Sequence, residues 1–207
     1  IAEETGTNGA SATINTNSDI DGMSANAPKI AYHLPAMGGL TVGASFADSG
    51  AVGSTDTTAF GFRYTTEAAG SSITIGGATA TTEATTTDKD SQNLGIKVVN
   101  GNLSFALSQG TEEAADEDQE HTGAAISYKM GNGMTIGAYT VDGEDALDAG
   151  EEYTASGVEV QYTIASGLTA VVIVEDYEYK APTTADTAGT TTGDSGTNSR
   201  LVIKASF

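Results

Sequence analysis

Five of the eight basic side chains, Lys29, Arg63, Lys97, Lys129 and Lys204, recur within segments of alternating apolar and polar residues, each on the polar side of its segment. Charges spaced along one face in this way can set the field of a hydrated passage, and that task needs no bond-making group. Glu159 falls on the same side of its own segment and adds negative charge there. A second constellation is acidic: Glu112, Glu113, Asp116, Glu117, Asp118 and Glu120 crowd one stretch, and Glu144, Asp145, Asp148, Glu151 and Glu152 another. Dense carboxylate oxygens suit calcium or magnesium, which makes Glu112, Glu113, Asp116 and Asp118 candidates for a weak cation site. The stretch DGEDALDAGEE lacks the alternating ligands of a calcium loop. A solvated acidic surface that repels anions and enriches cations is therefore the competing reading. His33 and His121 stand far apart in the chain, and no G-x-S-x-G nucleophile motif or catalytic triad is legible. An enzyme is thus not expected, and no cofactor beyond such a divalent cation is implied.

Composition narrows the field further. With 28 acidic against 8 basic residues and a net charge of −20, the chain cannot offer the Lys and Arg clusters that release counterions from a phosphate backbone. A nucleic-acid partner is excluded. Cys is absent, which removes thiol catalysis, disulfides and Cys-ligated zinc, and suits a protein that crosses an oxidising compartment unfolded. No apolar run approaches the roughly 18 residues of a membrane-crossing helix. A β-barrel is the membrane-spanning structure that remains. The chain starts at Ile1 with no charged-then-apolar leader, so an export signal is expected to have been removed or to lie upstream.

The elements that would position these charges are strands. Alternation and turn signals mark paired segments: KIAYHLP and LTVGASFA, TAFGFRYTTE and SITIGGATA, SQNLGIKVVN and NLSFALSQ, TGAAISYKM and MTIGAYTVD, EYTASGVEVQYTI and LTAVVIVEDYEY, then SRLVIKASF alone. These make about eleven strands of the length a tilted strand needs to cross a bilayer core. Turns within pairs are short and rich in Gly and Asn. The links between pairs, near 48–56, 80–90, 110–120, 143–151 and 180–197, are long and hold most of the acid. Short turns at one end and long polar loops at the other is the layout of an outer-membrane barrel. On each strand one face is apolar, as with Phe60, Phe62 and Tyr64 or Leu103, Phe105 and Leu107, and the other is small, polar or charged. Outward Tyr32, Phe46, Phe60, Tyr64, Tyr128, Tyr162 and Phe207 are candidates for an interfacial aromatic girdle.

Two stretches carry a family resemblance. NSRLVIKASF, ending in Phe207, resembles the closing strand of outer-membrane β-barrels, and KIAYHLPAMGGLTVGASF resembles the strand, turn and strand that follow the constriction loop of Gram-negative general diffusion porins. Ile30, Tyr32, Pro35, Gly39, Leu40, Gly43, Ser45 and Phe46 fit that pattern; Leu34 stands where Ser is usual and Met37 where Phe is usual. The resemblance implies an all-β antiparallel transmembrane barrel, of which about eleven strands of a sixteen-stranded porin are visible. Residues 1–28 would be the constriction loop, contributing Glu3, Glu4, Asp19 and Asp21 opposite the basic wall, and residues 29–207 the barrel. It further implies a homotrimer in a lipid bilayer that passes small hydrophilic solutes by diffusion; divalent cations held by the acidic loops would bridge those loops to each other or to lipopolysaccharide phosphates. The net charge of −20 leads to an expectation of cation preference. The rival reading is a non-conducting surface β-protein, an adhesin or lattice component, favoured by the low-complexity stretch APTTADTAGTTTGDSGTN.

Overall fold

The structure, a computed structural model, describes residues 29–48, 56–83, 88–114, 118–145, 151–180 and 193–205. They form eleven strands: β1 (Lys29–His33), β2 (Leu40–Ala47), β3 (Thr57–Ala68), β4 (Ser71–Thr82), β5 (Lys89–Asn100), β6 (Leu103–Glu113), β7 (Asp118–Lys129), β8 (Met134–Asp145), β9 (Glu151–Ala165), β10 (Leu168–Lys180) and β11 (Asp194–Ala205). Each pairs antiparallel with its neighbours in sequence, giving one sheet in the order β1 to β11. None of the described residues forms a helix long and apolar enough to cross a membrane.

Turn chemistry fixes the hairpins at the short end. Between β3 and β4 the two-residue turn Ala69–Gly70 has φ of 51° and 76°. Positive φ at both central positions is the primed turn whose twist matches that of the strands it joins. Gly39, at φ 87°, could carry no side chain at all, because a Cβ there would be driven into the backbone oxygen of Thr65.

The strands run further into the acidic stretches than hydrophobic alternation indicates. β6 continues to Glu113 and β7 begins at Asp118, with Glu112 opposite Gln119 and Glu113 opposite Asp118; β8 continues through Asp145, opposite Glu151 of β9. Past the apolar zone both faces meet water, so the side chains lose their apolar-polar rhythm while the backbone ladder continues. The residues of the expected constriction loop, 1–28, together with Asp116, Ser206 and Phe207, lie outside the described residues.

Burial identifies the two faces. The crowded face is the one with small or polar side chains: Ala59 and Ala155 are 4% and 2% exposed, and Ser45 and Thr57 are also buried. The apolar face is open, with Leu107 and Leu201 at 57% and 67% exposure and Ile30, Phe60, Leu94, Phe105 and Val172 beside them. A water-soluble sandwich places its large apolar groups in a shared core. Here the sheet curls around its polar face, which crowds that face, and turns its large apolar groups to the surroundings. This is the inside-out pattern of a barrel wall in lipid.

Outward charge is confined to one end. From turn to loop the outward face of β10 runs Leu168, Ala170, Val172, Val174, then Asp176, Glu178 and Lys180, and that of β8 runs Met134, Ile136, Ala138, Thr140, then Asp142 and Glu144. The apolar part marks the lipid zone, and the acids mark where the wall emerges from it.

Candidate functional site

The candidate site is the polar wall itself. Register carries one row of its side chains across nine strands: Thr65, Thr74, Lys97, Ala106, Ala125, Tyr139, Gly157, Glu175 and Asn198. Barrel strands are tilted, so a row perpendicular to them climbs the wall. Accordingly Lys97 stands near the turn end of β5, whereas Glu175 stands in the middle of β10.

Near the short turns, Arg63 and Lys97 line a recess of about 360 Å³ together with Gly39, Thr41, Thr65 and Thr74. Thr65 and Thr74 are hydrogen-bonded across the strands at 3.1 Å. Two cations and three hydroxyls give this recess the donors that suit an oxyanion or a carboxylate.

Higher on the wall, Tyr139 lies across Gly157 and its hydroxyl donates to Glu175 Oε2. A Cβ at position 157 would stand 2.7–2.8 Å from the phenol, so glycine is what allows the ring to lie against the backbone. The ring shelters the carboxylate: Tyr139 is 6% and Glu175 2% exposed. Buried carboxylates are sustained by such donors. Two further tyrosines repeat the arrangement toward the loops, Tyr177 donating to Asp194 at 3.1 Å and Tyr179 to Glu151 at 2.8 Å. The bond and the charge of Asp194 raise the Tyr177 pKa above its ordinary value.

Among the residues singled out from the sequence, Arg63, Lys97, Lys129, Glu159 and Lys204 all occupy polar-face register positions, opposite Thr41, Thr74, Thr135, Ile173 and Thr169 respectively. Lys29 is placed by its backbone alone, opposite Ala47. Lys129 is the last residue of β7, well separated from the loop end. Glu3, Glu4, Asp19 and Asp21 lie outside the described residues. For the acidic cluster, Glu112 and Glu113 are consecutive strand residues and so point to opposite faces. Glu112 instead holds Lys89 at 2.6 Å. Among the described residues no three His, Asp or Glu side chains gather as a metal site. His121 lies against Gly110 on the polar face, and His33 is opposite Gly43 at the end of β1.

Lys89, Arg200, Tyr139 and Glu175 also occupy this face, and alternation in the sequence does not single them out. Lys89 precedes the apolar part of its strand. Glu175 follows Val171 and Ile173, whose apolar side chains face the polar wall, so that β10 is apolar on both sides and loses its signal. The sign that could have exposed Glu175 is the spacing Glu175, Tyr177, Tyr179 on one face.

The sequence profile of the Gram-negative porin family matches residues 2–182. No characterised protein matches the chain at a significant level by sequence. Among solved structures, Acinetobacter baumannii OccAB3 aligns with a TM-score of 0.71 at 13% identity, covering 86% of this chain and 54% of that one. Acinetobacter baumannii OccAB4 aligns at 0.68 and 14%, covering 86% and 52%. The anion-selective porin from Comamonas acidovorans aligns at 0.64 and 18%, covering 86% and 59%. The chain thus spans about half the length of the structures it resembles, and at these identities the likeness is one of fold. Together with a wall that is polar within and apolar without, the profile match establishes that this chain belongs to the Gram-negative porin family and is a β-barrel protein of the bacterial outer membrane.

Proposed function

We propose that the protein forms a water-filled channel through which small hydrophilic solutes and ions diffuse across the outer membrane. The observation that carries this reading is the inverted wall: charged and hydroxyl side chains line the crowded concave face, and Leu, Ile, Phe and Val face outward. Family and fold point to a channel rather than an enzyme. The chain's lumenal charges would act by shaping the local concentration of ions, with Arg63, Lys97, Lys129 and Lys204 drawing anions and Glu159 drawing cations. A homotrimeric assembly, contact with lipopolysaccharide, a narrowing contributed by residues 1–28, and weak calcium or magnesium binding at the acidic loop end all belong to this proposal. The resemblance to general diffusion porins supports the homotrimer and the narrowing, and the density of carboxylates supports cation binding and, through bridging cations, the contact with lipopolysaccharide.

The test is swelling of liposomes that contain the purified, folded protein, in isotonic solutions of small sugars and amino acids. Swelling rates that fall with solute size are the expected result. Liposomes that swell no faster than protein-free ones, with the protein demonstrably folded, would return the choice to a non-conducting surface role.

A further inference from the structure

Charge on the wall is sorted along the pore axis. We infer that the channel is bipolar, with an acidic zone at the loop end in series with a basic zone at the turn end, so that it rectifies ion current and passes neutral and zwitterionic solutes in preference to ions of either sign. This rests on the channel reading above.

The basic zone consists of Arg63 and Lys97 in their shared recess, Lys129 at the end of β7 and Lys204 beside the end of β11. All four are on the lumenal face and close to short turns. Glu67 is the lumenal acid closest to those turns. Between the zones, Glu159 and Arg200 share one row with Ile173 between them, an acid balanced by a base.

The loop end has the opposite sign. Glu151 and Asp194 face the lumen there, and Glu113, Glu120 and Glu144 stand on the outward face of the same rim. Three lysines stand at that end: Lys89 is engaged by Glu112 at 2.6 Å and Lys180 by Glu152 at 2.5 Å, while Lys29 is placed by its backbone opposite Ala47 and offsets one of the carboxylates. Tyr177 and Tyr179 hydrogen-bond to Asp194 and Glu151 but are neutral donors, so the negative charge of that end is retained.

Two fixed-charge zones in series behave differently under the two polarities. When cations are driven inward from the loop end, they enter through the acidic zone while anions enter through the basic zone, and both accumulate where the zones meet. Conductance is then high. Reversing the voltage empties the junction of both. A steady gradient meets one zone that resists anions and one that resists cations, so net selectivity is smaller than a charge of −20 implies. Solutes without net charge meet neither barrier.

Single-channel recording of the full chain in planar bilayers tests this. Currents at equal and opposite voltages in 0.1 M salt should differ by roughly twofold or more, and should converge in 1 M salt as the screening length falls from about 10 Å to about 3 Å. A variant combining Lys97→Gln, Lys129→Gln and Lys204→Gln should keep its conductance steps, lose the asymmetry and shift the reversal potential toward cation selectivity. A second variant, Glu151→Gln with Asp194→Asn, should shift the reversal potential the other way. Ohmic steps from the unaltered protein at 0.1 M would overturn the bipolar inference alone, as would asymmetry that survives in both variants. Absence of any steps from folded protein would overturn the channel reading and this inference with it.

Discussion

Removing one oxygen atom from Tyr139 isolates the energetic role of the buried tyrosine–glutamate pair. In Tyr139→Phe the ring stays over Gly157, so packing is kept, but Glu175 at 2% exposure loses its phenolic donor. A hydrogen bond to a charged group contributes about 1.5–3 kcal/mol net, and a buried acceptor left without its donor costs a similar amount. We therefore expect a loss of about 2 kcal/mol, roughly a thirtyfold change in the folding equilibrium. Glu175→Gln should cost less, because the amide oxygen can still accept from the phenol. The double variant should cost less than the sum of the two, with a coupling of about 1 kcal/mol, since the group left without the phenol is then a neutral amide and not a buried carboxylate. Urea titrations of the barrel refolded in lipid, followed by its heat-sensitive mobility on cold gels, supply the numbers; the chain has no Trp, so fluorescence of that residue is not an option. If Tyr139→Phe changes stability by less than about 0.5 kcal/mol, the size of an ordinary surface substitution, the carboxylate is hydrated in solution and the argument from burial fails.

Other substitutions probe the remaining parts of the wall. Phe105→Arg, on the lipid face, should destabilise by about 2–4 kcal/mol, whereas Ser104→Arg, one residue away on the lumenal face, should cost under about 1 kcal/mol; the same urea assay compares them, and equal costs would reverse the assignment of faces. Gly39→Ala forces a side chain against the Thr65 carbonyl at a backbone φ of 87°, so it should cost at least about 1–3 kcal/mol and lower the yield of folded barrel on refolding. Lys180, held above its ordinary pKa of 10.5 chiefly by its hydrogen bond to Glu152, should titrate at ordinary values in Glu152→Gln by NMR of the side-chain amine. Its ion pair contributes fully below pH 10.5 and is lost as pH rises through the raised folded value, so the stability difference between the two proteins should be constant below pH 10.5 and vanish as pH rises through that value.

The strands were legible because membrane-facing positions impose a strict period of two. Leu94, Ile96 and Val98 on one side of Gly95 and Lys97 announce both a strand and its orientation. Where the wall leaves the lipid that constraint ends, which is why the sequence alone assigns Glu112, Glu113 and Asp118 to a loop while backbone pairing carries them as strand residues. The lumenal bases could be recognised because each interrupts a run of apolar neighbours. Glu175 and Tyr139 could not: their partnership joins β10 to β8 across Gly157, and nothing within either segment foretells which strand a third will lie between. Lys89 and Glu112 show the same limit, being joined by register between β5 and β6 and by no local pattern.

Every described strand bonds only to the strands that precede and follow it in the chain. Among the described residues no strand is locked behind another, so a mechanical load applied at β1 or β11 would peel this sheet from that side and leave the rest of it engaged. In a pulling experiment this gives a sawtooth of rupture events, most spaced by the contour length of a hairpin, and not a single catastrophic yield. The same zipper, run in the opposite direction, lets the wall be laid down one hairpin at a time, each new pair templated by the exposed edge of the last.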